Sequence, residues 1–270
     1  MGAGIAAVLL AAGDEVALVE ESASQAVAAL ARVDTDLAVL RRCGPPRTPS
    51  AGGAEPRLAV VDSISAVPPG LDVAIEAVPE RRDLKQQVLA DLESLEPQLL
   101  GSNTSSLSIG DLGQHLRHPE RFLGLHFFNP VRTMPLLEVV IGRATGVEAR
   151  GAAEALAVRI GKEPMFVRDA PGFVTSRLGV ALGLEAIRLV EEGVAEPKDI
   201  DRAMELGYRH RMGPLRLTDL IGLDVRLDIA RSLEQAYGPR FTPPDLLVKM
   251  VADGRLGRKS GAGFYEWTGS

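Results

Sequence analysis

Apolar positions along this chain fall into short unbroken runs over its first two thirds and into helical spacing over the last third. The runs are VALV (16–19), LAVVD (58–62), LDVAIEAV (71–78), QLLGSNTSS (98–106, whose apolar head enters a polar loop), two within GLHFFNPVRTMPLLEVV (124–140), and EPMFVRD (163–169). Between them, residues 2–12, 22–40 (with Ser22 as N-cap), 81–93 and 146–160 read as helices. Continuous apolar strands alternating with helices predict a parallel sheet covered on both faces. From Pro171 the pattern changes, and helices are expected over 171–193, over 196–207 ending on Gly207, over 214–237, and over 243–253 capped by Gly254. No further strand is expected. The fold class is therefore α/β over 1–169, followed by an all-helical domain over 170–270.

The stretch 124–140 carries the sharpest chemistry. His126 interrupts one apolar run and Glu138, twelve residues on, interrupts the next; Asn129-Pro130 and Met134-Pro135 supply a turn between them. Two such runs can lie side by side and bring the imidazole to the carboxylate. A carboxylate that fixes the tautomer of a histidine makes an acid–base unit. The plainer alternative is two polar residues at strand ends satisfied by backbone.

Composition narrows the class. The chain has 270 residues, 46% hydrophobic and 24% charged, with a formal net charge of −6. That is a globular composition with room for a substantial core. The acidic balance argues against a general nucleic-acid binder and gives no reason to expect a membrane surface as partner. The single cysteine, Cys43, fits a reducing, cytoplasmic setting. MGAGIAAVLLAA (1–12) lacks the basic leader of a signal peptide, and no run reaches the ~18 apolar residues of a membrane span. CGPPRTPSAGGAEP (43–56) reads as a Pro/Gly-rich surface loop. No HExxH, CxxC or GxSxG motif is present, and no metal site is expected.

A Gly-rich turn opening a helix, followed by a strand that ends in an acid, is part of the dinucleotide-binding fingerprint. Here Gly2 and Gly4 open the first helix, and Glu20 ends the next strand, eighteen residues after Gly2. The strand that precedes such a turn is not in the sequence. An Ala/Gly-rich helix start explains the glycines equally well.

Taken together, MGAGIA (1–6), IEAVPE (75–80), SNTSSLSI (102–109), GLHFFNPV (124–131), LLEVV (136–140), PGFVTSR (171–177), EAIRLVEEGVA (185–195), DIDRAMELG (199–207), MGPLRLTDLIGLD (212–224) and GRKSGAGFY (257–265) resemble the L-3-hydroxyacyl-CoA dehydrogenases, of the 3-hydroxybutyryl-CoA type. The resemblance spans nearly the whole chain in the family's order. It implies a Rossmann-type domain followed by a helical substrate and dimerisation domain. It implies hydride transfer between NAD and the C3 hydroxyl of a 3-hydroxyacyl-CoA, in a homodimer paired through the helical domain. His126 matches the catalytic base, Glu138 the carboxylate that holds it, and Ser105 a serine near the substrate oxygen. By the same resemblance Gly2, Glu20, Ala77, Glu80, Lys85, Asn103 and Lys259 line the cofactor side. Lys85 and Lys259 read equally as solvated surface charges, and Asn129 as a turn residue.

The chain departs from the family in four places. The first strand and first two glycines are missing, so a slot about two strand spacings wide, roughly 2 × 4.8 Å, is expected between the 16–19 and 71–78 strands. We expect the natural protein to begin upstream of Met1, with weak NADH binding otherwise. Ser176 replaces the family's usual substrate-side asparagine, and Arg211 its usual proline. In place of a charged helical region that helps hold CoA, only Arg41, Arg42 and Arg47 remain as phosphate partners. Two other readings share the sequence: a dehydrogenase of a non-CoA hydroxy acid, and a non-catalytic, crystallin-like relative. Glu20 would repel a 2′-phosphate, and Arg32 lies well along the following helix, so NAD rather than NADP is expected.

Overall fold

The structure, a computed structural model, describes residues 1–43 and 57–267. The Pro/Gly-rich stretch and Arg47 lie outside the described residues. Contacts divide the chain into two units, Met1–Asp169 and Ala170–Ser270.

The first unit runs α1 (Gly2–Ala11), β1 (Val16–Val19), α2 (Ala23–Cys43), β2 (Leu58–Val61), β3 (Val73–Glu76), α3 (Arg82–Glu93), β4 (Leu99–Ser102), a short α4 (Ile109–Leu112), β5 (Phe122–Phe127), β6 (Leu136–Ile141), α5 (Val147–Arg159) and β7 (Glu163–Arg168). The strands form two sheets. β1 and β2 pair in parallel, and β3-β4-β5-β6-β7 form a five-stranded sheet in sequence order. Among the described residues no strand pairing joins the two sheets. One correction concerns strand direction: β5 and β6 are antiparallel, with β6 and β7 parallel to each other. The eight residues between β5 and β6 are too few for a parallel crossover, which needs a dozen or more.

α1 joins the two sheets through packing. Its Ile5 and Val8 belong to the core of the five-stranded sheet and α5, with Leu123, Leu125 and Val139. Its Ala3, Ala6, Ala7 and Leu10 pack instead on Ala29 and Val33 of α2 and against β1 and β2. This explains an Ala/Leu-rich sequence without a polar face: a helix apolar all round is covered all round. Gly4 lets the chain after β5 approach, since a Cβ there would lie 3.1 Å from Val131 Cγ2.

The second unit is α6 (Thr175–Glu191), α7 (Pro197–Tyr208), α8 (Pro214–Ile221), α9 (Leu223–Tyr237) and α10 (Asp245–Ala252). Val180, Leu184, Ile187, Leu215, Leu227 and Leu247 are among its buried core. The single helical region expected over 214–237 is two helices, divided at Gly222 with φ 109°. Only glycine adopts that backbone without strain. α7 does not stop on Gly207; it runs to Tyr208, and Arg209 takes the left-handed cap with φ 59°. Arg211 is exposed between α7 and α8.

Candidate active site

The antiparallel register of β5 and β6 sets His126 directly opposite Glu138. Side chains directly opposite each other share one face of the sheet, so the register alone brings the two together. Nδ1 of His126 lies 2.8 Å from Oε2 of Glu138. His126 is 7% exposed and Glu138 fully buried. A buried carboxylate needs a partner, and this one takes the imidazole. The Phe128 ring packs against the imidazole at 4.5 Å between centroids.

The turn after β4 is built around two acids, the buried Glu76 and the more exposed Glu80. Glu76, at the end of β3, accepts from Lys85 Nζ at 2.8 Å and from Ser102 Oγ at 2.6 Å. Lys85 is fully buried, so it is not a solvated helix lysine; it also donates to the carbonyls of Val78 (3.0 Å) and Asn103 (3.4 Å). Glu80 receives Thr104 Oγ1 at 2.6 Å, the N–H groups of Ser105 and Ser106 at 3.0 Å each, and Ser106 Oγ at 2.9 Å. Ser105 Oγ lies 3.4 Å from the same oxygen. Burial works against the Glu80 charge, but the hydrogen bonds, led by Thr104, and the Lys85 charge outweigh it and hold its pKa below the ordinary glutamate value. Asn103 Oδ1 accepts from the N–H of Phe127 at 3.0 Å. That bond ties the Ser105 turn to the residue after His126.

The start of α1 holds Gly2, one of the residues expected on the cofactor side. The helix has no side-chain N-cap, so its first N–H groups are left for a ligand or water. Space beside Gly2 is modest but present: a Cβ there would meet Leu18 at 3.9 Å and Ala77 at 4.0 Å. Glu20 follows β1, its N–H donating to Val61 at 2.9 Å. Gly2 and Ala77 thus lie side by side at this end of α1. Arg32 is nearer than its place along α2 indicates. Burial lowers the pKa of the Met1 ammonium, Arg32 lowers it further, and Glu20 opposes both. Packing of α2 on α1 brings Arg32 to this end.

Ser176 and Lys259 lie in the second unit. Ser176 is half-buried in the first turn of α6. Lys259 is paired with Asp224 at 2.5 Å. Burial opposes the Asp224 charge, and Lys259 more than offsets it, so the Asp224 pKa is lowered. Among the described residues no group of three or more His, Cys, Asp or Glu side chains is placed to hold a metal.

Sequence reasoning missed Glu76, Lys162 and the Asp36–Arg132 pair (2.6 Å). Glu76 carried a usable signal, an acid inside the apolar run VAIEAV, as Glu138 did in LLEVV. Lys162 and Asp36 carried none, because each sits in an ordinary polar context.

Residues 1–170 match the family model described as 3-hydroxyacyl-CoA dehydrogenase, NAD binding domain, and residues 172–267 its C-terminal domain. A probable 3-hydroxybutyryl-CoA dehydrogenase of Bacillus subtilis (strain 168) is 38% identical over 270 residues, 99% of this chain and 94% of that protein. A probable 3-hydroxybutyryl-CoA dehydrogenase of Deinococcus radiodurans is 44% identical over 199 residues, 73% of this chain and 72% of that protein. The crystal structure of (S)-3-hydroxybutyryl-CoA dehydrogenase from Ralstonia eutropha is similar with a TM-score of 0.90 at 36% identity, covering 100% of this chain and 96% of that one.

Proposed function

The chain belongs to the 3-hydroxyacyl-CoA dehydrogenase family, and we propose that His126, held by Glu138, is the acid–base residue of its reaction. The protein is an NAD-dependent oxidoreductase of fatty acid metabolism acting on 3-hydroxyacyl-CoA. Oxidation removes a hydride from C3 and a proton from the C3 hydroxyl. NAD, when bound, supplies the nicotinamide that accepts the hydride. The proton is the protein's task. Nδ1 of His126 is engaged by Glu138 at 2.8 Å, so we assign the hydroxyl proton to Nε2. Glu138 fixes the tautomer and stabilises the imidazolium that forms. In the reducing direction the same nitrogen returns the proton to the carbonyl oxygen.

Ser105 is assigned to the substrate oxygen. Its turn is rigid because Glu80 gathers the neighbouring donors. Gly2, Glu20 and Ala77 are assigned to the cofactor directly. Asn103 and the buried Lys85 are assigned to holding that surface in shape. Ser176 and Lys259 are assigned to the substrate and cofactor side of the helical unit, on family resemblance, with Arg41 and Arg42 as partners for CoA phosphates. The single cysteine supports a cytoplasmic setting. Among the described residues no helix is long and apolar enough to cross a membrane. A homodimer is proposed through the helical unit, where Leu178, Leu182, Leu217 and Ile221 are exposed apolar side chains.

The observation that carries the reading is the His126–Glu138 pair set by strand register. His126→Asn is expected to lower kcat by about 10²–10⁴, the usual weight of general acid–base catalysis, with NADH binding unchanged by fluorescence titration. Turnover at the wild-type rate in that variant would remove His126 from the reaction.

A further inference from the structure

Lys162 sits between α5 and β7 and is only 8% exposed. Among the described residues no carboxylate pairs with its ammonium. Nζ donates instead to two backbone carbonyls, those of Val131 and of Met134 (2.6 Å). Burial without a counter-charge lowers its pKa. Taking an ammonium out of water without an ionic partner is costly, and an apolar residue would fill the same place more cheaply. Such local expense is characteristic of functional positions.

Both carbonyls belong to the loop that joins β5 to β6, which are the strands of His126 and Glu138. The loop has further fastenings. Arg132 pairs with Asp36 of α2 at 2.6 Å, and Val131 packs on Gly4 of α1. Lys162 is itself fixed by the adjoining strand pairing, where the N–H of Glu163 donates to Pro135 at 2.8 Å. Its ammonium therefore reaches from a fixed strand end to the middle of the loop.

We propose that Lys162 is a positioning residue for the acid–base pair: it staples the β5–β6 loop to the start of β7 and so holds His126 against Glu138 in the geometry that turnover needs. This rests on the assignment of His126 and Glu138 as that pair. The ends of β5 and β6 are only one and two residues from these side chains, so loosening of the loop reaches them first. Displacement by a fraction of a bond length is enough to slow proton transfer while leaving binding intact.

The test is Lys162→Met in the full chain, assayed with NADH and acetoacetyl-CoA. kcat is expected to fall at least about tenfold while both KM values stay within about twofold, the pattern of an interaction used in the chemical step. With 15N-labelled histidine, the resonance of the His126 Nδ1 proton is expected to shift or broaden in the same variant. Lys162→Gln, which keeps a shortened donor, is read in the same way if the methionine variant does not fold. An unchanged kcat together with an unchanged His126 resonance overturns the proposal. So does a rise in KM for NADH at constant kcat, which would assign the loop to the cofactor helix alone. His126→Asn is run alongside. If it too turns over normally, the acid–base assignment fails; if it is impaired and Lys162→Met is not, only the role of Lys162 fails.

Discussion

Glu80 gathers the donors of Thr104, Ser105 and Ser106 on one carboxylate oxygen, and so shapes the turn that presents Ser105. Its folded pKa lies below the ordinary value of 4.5. A depressed carboxylate pKa stabilises the fold fully above the unfolded value, and the gain fades as pH falls through the folded value. Glu80→Gln is therefore expected to lower stability at neutral pH by about 1 kcal/mol or less by denaturant unfolding, because Glu80 is partly solvated. The gap from wild type should narrow as pH falls below 4.5 and through the folded value, as the wild-type carboxyl protonates as well. A gap that widens on acidification would contradict the charge argument. Glu20 has a separate consequence. With Arg32 drawn to the same end of α1, Glu20→Ala should relax the preference for NADH over NADPH, read as the ratio of kcat/KM values. The acid that repels a 2′-phosphate is then gone and a cation remains. At this scale the sequence was informative where a charge broke an apolar run, as at His126 and Glu138. It left Lys85 open between a cofactor-side and a solvated lysine and was silent on Lys162, because the burial of each depends on neighbours distant in sequence.

Among the elements, the chain after α10 is held by buried acids of the helical unit. Asp219 of α8 accepts from the N–H groups of Phe264 and Tyr265 at 2.9 Å each and from Trp267 Nε1 at 2.8 Å. Asp201 of α7 caps α8 through Leu215 and Arg216 and takes the Tyr265 hydroxyl at 2.6 Å. Burial first, and Asp201 next, raise the tyrosine pKa, so that hydroxyl stays protonated and remains a donor. Asp219→Asn turns one acceptor into a donor that faces N–H groups, at a cost of ~1–3 kcal/mol. Trp267 is the chain's one tryptophan, so its emission should shift to the red in this variant while far-ultraviolet circular dichroism is kept. An unshifted spectrum would mean that the segment is held by other contacts. Helix and strand positions were legible from periodicity to within a few residues. The antiparallel turn of β5 into β6 and the division at Gly222 were not read, although loop length and a glycine were there to signal them.

For the whole molecule, exposed apolar residues concentrate on the helical unit. Leu178, 66% exposed, and Leu182 lie one turn apart on α6, with Leu217 and Ile221 in the same relation on α8. Apolar stripes of this kind mark association surfaces when they form a contiguous patch. Leu178→Asp with Leu182→Asp is expected to convert a dimer to a monomer in analytical ultracentrifugation, with the core of Val180, Leu184 and Ile187 intact by thermal melt. A monomeric wild-type protein at micromolar concentration would refute the proposed pairing.

Local pattern by itself determined the alternation of strands and helices, the passage to an all-helical region after Pro171, and the candidacy of His126 and Glu138. These depend on side-chain period, turn residues and motif spacing, all of which are short-range. Tertiary structure alone decided that Lys85 is buried between Glu76 and two carbonyls, that α1 bridges two separate sheets, that the Arg32 charge acts on the start of α1, and that Lys162 pins the loop beside His126. Each depends on which distant surfaces meet, and a charged residue reads the same in sequence whether water or a buried carboxylate receives it.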